Sequence, residues 1–217
     1  MVVEDLAKAL FDAFSDTNDR TGNQAPLTSQ AKAYARGVIA AITAGKAMQP
    51  SVTGITKQAS SLKNGASQGG KLLNIVNGPM TGAIMGAFPE SNAGEMVKEH
   101  KAVCEYIVAN AKVSFEPGTI NGQCTSTAVS DGPLVAGKGR GGKISGLVGS
   151  ALAAKVKGVF GAFPKIPEET DMIPFYTALC DYIMENAEVS YASGMVVGTC
   201  PPSAGPLSGS ASNGKIK

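Results

Sequence analysis

Four cysteines, three lysines that each close a glycine-rich string, and one histidine are the residues of this 217-residue chain whose type and spacing could do chemistry. The cysteines are Cys104, Cys124, Cys180 and Cys200, so a pair spaced 20 residues apart recurs 76 positions later. Thiols placed in this way could form a disulfide within each pair, or could serve singly as small buried hydrophobes. Zinc is not expected, because one pair supplies half a tetrahedral site and no histidine accompanies it. The strings Gly65 to Lys71, Gly137 to Lys143 and Gly209 to Lys215 read G-x-x-x-x-G-K, the spacing of a phosphate-cradling loop. The hydroxyl that should follow to hold Mg²⁺ is replaced by Leu72, Ile144 and Ile216. Likewise Gly137, Gly139 and Gly142 imitate a dinucleotide fingerprint, but with no strand before them. His100 shares the apolar side of a helical run with Val97 and Cys104, which suits a half-buried structural histidine. Glu95, Glu99, Glu168 and Glu169 stand at helix starts, where acids complement the macrodipole and face solvent. No catalytic residue, metal or cofactor is assigned from this set.

The elements that must position these residues are organised by repetition. From Met96 to Cys124, twelve of twenty-nine residues are identical to those 76 positions later, among them Cys104, Tyr106, Asn110, Val113, Gly118, Gly122 and Cys124. A third, more divergent copy opens the chain: Leu10 to Phe14 matches the segments ending at Phe88 and Phe163, and Val52-Thr53-Gly54 matches Ile120-Asn121-Gly122. In that copy Arg36 and Thr56 align with the two cysteines. Joint presence in two copies and joint absence in the third favours contact between Cys104 and Cys124, and between Cys180 and Cys200.

Each copy closes on Gly-Lys followed by Leu or Ile, which divides the chain into Met1–Lys71, Leu72–Lys143 and Ile144–Lys217. The expected architecture is α+β: three tandem repeats of about 72 residues, each with two helices, a β-hairpin and a Gly-rich loop. The first helix of each repeat is short, and Phe14, Phe88 and Phe163 are expected to sit at equivalent places in a core that the short helices share. The second is longer and amphipathic, with Val97, Cys104, Ile107 and Val108 on one face. In the middle repeat the hairpin runs from Val113 to Gln123 about a turn at Pro117-Gly118, and Thr125 to Gly142 forms the loop. Gly137, Lys138, Arg140 and Lys143 on that loop are the interaction candidates.

Composition narrows the function classes. With 43% hydrophobic and 17% charged residues the chain can bury a core, and a net charge of +2 gives no overall basic surface for specific nucleic-acid binding. Acids near the N-terminus argue against an export signal, and no apolar run is long enough to span a membrane. The stretch from Val113 to Leu147 and its copy from Val189, with a strand, Gly-x-Cys, Gly-Pro-Leu and Gly-Lys-Ile, resembles small repeat-built virion structural proteins of tailed bacteriophages. The resemblance implies a non-enzymatic capsid, neck, tail or baseplate component, made in the host cytoplasm, oligomeric within the particle and in contact with other virion proteins. A ligand- or nucleotide-binding protein, or an enzyme using the G-x-x-x-x-G-K loops, is the alternative.

Overall fold

The computed structural model describes residues 1–15, 24–56, 60–87, 93–160 and 169–217. Among these residues six helices and seven strands follow in the order α1 (Val3–Ser15), α2 (Gln24–Ala44), β1 (Lys46–Thr56), β2 (Lys63–Leu73), α3 (Gly78–Ala87), α4 (Ala93–Asn110), β3 (Lys112–Cys124), β4 (Gly132–Ser145), α5 (Gly149–Phe160), α6 (Glu169–Asn186), β5 (Glu188–Cys200), β6 (Gly205–Pro206) and β7 (Ser208–Ile216). The helices and their connections form one compact unit and the strands another, so each of the segments 1–71, 72–143 and 144–217 contributes to both.

In the strand unit every pairing is antiparallel. The order β1-β2-β3-β4-β5-β7 returns to β1, closing a six-stranded barrel, with the two-residue β6 beside β1. Alternation along the strands sends one face inward. β3 buries Val113, Phe115, Ile120 and Cys124, and β5 buries Val189, Tyr191, Val196 and Cys200 at the same positions of the strand. An eight-stranded barrel is just wide enough for side chains to fill, so six strands leave room for a large side chain only where a facing position has none. The glycines meet that condition. A Cβ at Gly142 would lie under 3.0 Å from the Phe115 ring, one at Gly214 would meet Tyr191, and one at Gly70 would meet Gln49. Phe115 and Tyr191, on strands separated by β4, touch at a ring-centroid distance of 5.4 Å. Gly141, at φ 72°, occupies the left-handed region where β4 shifts its register against β5, between Gly139 and Gly142.

These strands correct two expectations. Lys112–Cys124 is a single strand that passes through Pro117-Gly118 without reversing, and its hairpin partner is β4. The segment read as a Gly-rich loop therefore contains β4, a full wall of the barrel. Glycine-rich sequence has low strand propensity, and here it is used because bulk is excluded at the inward positions.

In the helical unit, packed neighbours follow chain order around a ring, α1-α2-α3-α4-α5-α6, and α6 meets α1. Leu6, Leu10, Val38, Ile42, Met80, Val103, Ile107, Leu152, Leu179 and Ile183 are buried, so long and short helices share the core rather than the short ones supplying it. Tyr182 fastens the ends of the ring: its hydroxyl accepts from the Val2 N–H at 2.6 Å and donates to the Val2 carbonyl at 2.8 Å. Tyr106 holds Val148 in the same manner, at 3.0 Å in both directions. Phe88 and Phe163 lie outside the described residues, as does the side chain of Phe14. No helix among the described residues is long and apolar enough to cross a membrane.

Candidate functional site

The cysteines do not pair as their spacing suggested. Cys124 is bonded to Cys200, with Cα atoms 5.9 Å apart, while Cys104 and Cys180 are free and buried. The strand order gives the reason. Cys124 ends β3 opposite Leu134, and Cys200 ends β5 opposite Gly132, so the two inward sulfurs meet across β4 at one end of the barrel. The end of β1 carries Thr56, which is 1% exposed and donates to the Gly205 carbonyl at 3.4 Å. Cys104 and Cys180 belong to the helical core, where Cys104 Sγ lies 3.6 Å from Met80 Sδ. Burial, reinforced by adjacent acids, pushes the Cys104 thiol up to about 11 and the Cys180 thiol up to about 12, so neither supplies a thiolate near neutral pH.

A polar network joins the three long helices. Glu99 on α4 accepts from the hydroxyls of Tyr34 on α2, at 3.2 Å, and Tyr176 on α6, at 2.8 Å. Burial raises the Glu99 carboxyl above its ordinary value, and the two phenols act against that shift. Both phenols are themselves raised, first by burial and then by the neighbouring carboxylate. Glu99 is therefore a core acceptor rather than the solvated capping acid expected from sequence. Beside it, His100 is 1% exposed, more enclosed than the half-buried position expected, and its Nδ1 lies 3.0 Å from Thr81 Oγ1. Burial lowers its pKa to about 4, so the imidazole is neutral near pH 7.

The accessible chemistry lies on the outer face of the barrel. Lys63, Lys71, Lys112, Lys138, Arg140, Lys143, Lys215 and Lys217 are all exposed. The ion pairs among the described residues involve other cations: Lys8 with Asp12, Lys32 with Glu4, and Lys101 and Lys155 with Glu105. The segments that make up the barrel unit carry ten Lys and Arg against three Asp and Glu, a net +7, and the rest of the chain carries −5. A groove of about 590 Å³ runs over β5, with Lys138 and Arg140 of β4 on one side and Lys215 and Lys217 on the other. Ser190, Ala192 and Ser193 form its floor, and Glu188, whose carboxylate accepts from the Gly141 N–H at 3.2 Å, closes one end.

Of the interaction candidates read from the sequence, Lys138 and Arg140 line this groove. Lys143 is exposed and stands opposite Glu188 in the β4–β5 register, whereas Gly137 is buried against the Val196 carbonyl. Lys215, singled out in the sequence as the end of a glycine-rich string, joins the groove, and the residues missed from sequence, Lys217, Ser190 and Ser193, become visible only once β5 and β7 are known to be neighbours. The G-x-x-x-x-G-K strings lie in β2, β4 and β7, where their lysines stand opposite Met48, Ser114 and Ser190. Among the described residues no group of three His, Cys, Asp or Glu side chains could hold a metal ion.

Comparison of the chain with protein-family models, curated proteins and solved structures finds no match.

Proposed function

We propose that this chain is a non-enzymatic structural component of a bacteriophage particle, built from three tandem repeats of about 72 residues and acting through its outer surface on neighbouring virion proteins. The observation that carries the reading is the filled bore. Phe115, Tyr191 and Gln49 occupy the barrel interior against facing glycines, so the barrel is a rigid solid, and its cationic exterior is the surface offered to partners. The repeat reading draws support from the order helix, helix, strand, strand, which occurs twice and a third time with the two-residue β6 between its strands, and from the glycines Gly70, Gly142 and Gly214 facing Gln49, Phe115 and Tyr191. The phage assignment draws on the sequence resemblance. Against the nucleotide-binding alternative stands the placement of the Gly-Lys strings: in a ladder, backbone N–H groups point at neighbouring strands instead of converging on a phosphate.

Mass spectrometry of purified particles, joined to calorimetric titration of the free protein with ATP and Mg²⁺, tests the proposal. The expected result is a fixed stoichiometry in the particle and no heat on titration. Absence from particles would overturn it, as would saturable ATP binding lost in Lys71→Ala, Lys143→Ala and Lys215→Ala.

A further inference from the structure

The groove over β5 has a composition that selects among charged partners. Its walls are Lys138 and Arg140 on β4 and Lys215 on β7 with Lys217 just beyond it, two strand spacings apart, or about 10 Å, and the one carboxylate of its lining, Glu188, stands at one end, where it is engaged by the Gly141 N–H. Between the walls the floor holds two hydroxyls, Ser190 and Ser193, and one methyl group, Ala192. The aromatic ring nearest the floor, Tyr191, is 2% exposed and turned inward against Gly214 and Phe115. Protein partners are usually anchored by aromatic or aliphatic side chains entering apolar pockets, and this floor provides none. Closure of the barrel by β1 leaves β5 no free edge for strand addition either. Cations flanking hydroxyls in an open polar trough instead match a line of phosphates, to whose anionic oxygens Arg, Lys and serine hydroxyls all donate charge-assisted hydrogen bonds.

We propose that this groove binds the phosphodiester backbone of a single nucleic-acid strand without reading its sequence. The absence of an exposed ring in the groove means that bases are not stacked, so affinity comes from charge and is released by salt. The chemistry of the groove is independent of whether the chain is built into a particle, and it is measured on the free protein.

The test is fluorescence-anisotropy titration of the full chain with a single-stranded oligo(dT) of about 20 nucleotides, longer than a typical one-barrel site, over a range of salt. Four phosphate contacts predict a slope of log K against log salt of about −3. Lys138→Glu with Arg140→Glu is expected to weaken binding at least tenfold at low salt and to reduce the slope to about −1.5. Lys98→Glu with Lys101→Glu, the same change in net charge made on α4, is expected to leave both quantities unchanged, and polyglutamate is expected not to displace the oligonucleotide. If the β4 variant fails to fold, Lys215→Gln with Lys217→Gln carries the same prediction for the opposite wall. No binding by the wild type, equal losses in the groove and α4 variants, or displacement by polyglutamate would each overturn the proposal.

Discussion

Gly142 and Phe115 show how single residues set the dimensions of the barrel. The Phe115 ring occupies space that a Cβ at position 142 would need, so Gly142→Ala is expected to cost about 1–3 kcal/mol through overpacking. Shortening the ring partner should relieve it. In urea denaturation, Gly142→Ala combined with Phe115→Leu should be more stable than the sum of the two single changes allows, and strict additivity would show that the two do not share a space. The disulfide makes a second prediction at this scale. Because Cys124 and Cys200 are 76 residues apart, their bond closes a long loop worth up to about 4 kcal/mol on chain entropy. Cys124→Ser should lose about 2–4 kcal/mol and become indifferent to reductant, whereas Cys104→Ala should remain sensitive to it. Reductant sensitivity retained in Cys124→Ser would instead support the expected Cys104–Cys124 and Cys180–Cys200 pairing, in which the second bond survives that change. The joint replacement of Cys104 and Cys124 by Arg36 and Thr56 in the first copy pointed to a bond between those two, and the structure instead bonds Cys124 to Cys200 and leaves Cys104 free. The identity of the partner was not legible in the sequence, because spacing along the chain says nothing of which strand ends converge at a barrel mouth.

Among the elements, the helices were legible and the strands were half legible, for a physical reason in each case. Of the face read from the spacing in α4, Cys104 and Ile107 are buried, Val108 is half-buried and Val97, nearer the start of the helix, is exposed. In β4 the inward positions Gly137, Gly139 and Gly142 carry no side chain, so the hydrophobic alternation that marks a strand is missing. Deleting Thr125 to Gly141 would accordingly remove most of β4 and open the barrel. The expected outcome is loss of cooperative unfolding, and a cooperatively folded deletion protein would contradict the topology. The long helices make a pH prediction through His100. Its folded pKa of about 4 lies below the ordinary 6.5, so between these values the unfolded chain binds a proton that the folded chain refuses. Stability should therefore be fully present above pH 6.5 and fall as pH drops toward 4, by up to about 3 kcal/mol. In thermal melts His100→Gln should lack that part of the acid sensitivity, and an unchanged profile would show that the histidine is not enclosed. Glu99→Ala should cost about 2–3 kcal/mol by leaving Tyr34 and Tyr176 without their shared acceptor, and Glu99→Gln should recover part of it.

For the whole molecule, a net charge of +2 conceals a chain whose barrel segments carry +7 and whose remaining segments carry −5. Summing charge over 1–71, 72–143 and 144–217 hides the same fact, because each of these segments gives helices to one unit and strands to the other. The distribution of charge became visible with the topology, and it favours the barrel exterior as the partner-facing surface. For the proposed role in a particle, quantitative amine labelling of lysines in the free protein and in purified particles examines that placement most directly. Lys71, Lys112, Lys138, Lys143, Lys215 and Lys217 should lose reactivity on incorporation while Lys8, Lys32, Lys98 and Lys101 keep it. Protection of the helical lysines with the barrel lysines still reactive would contradict that placement.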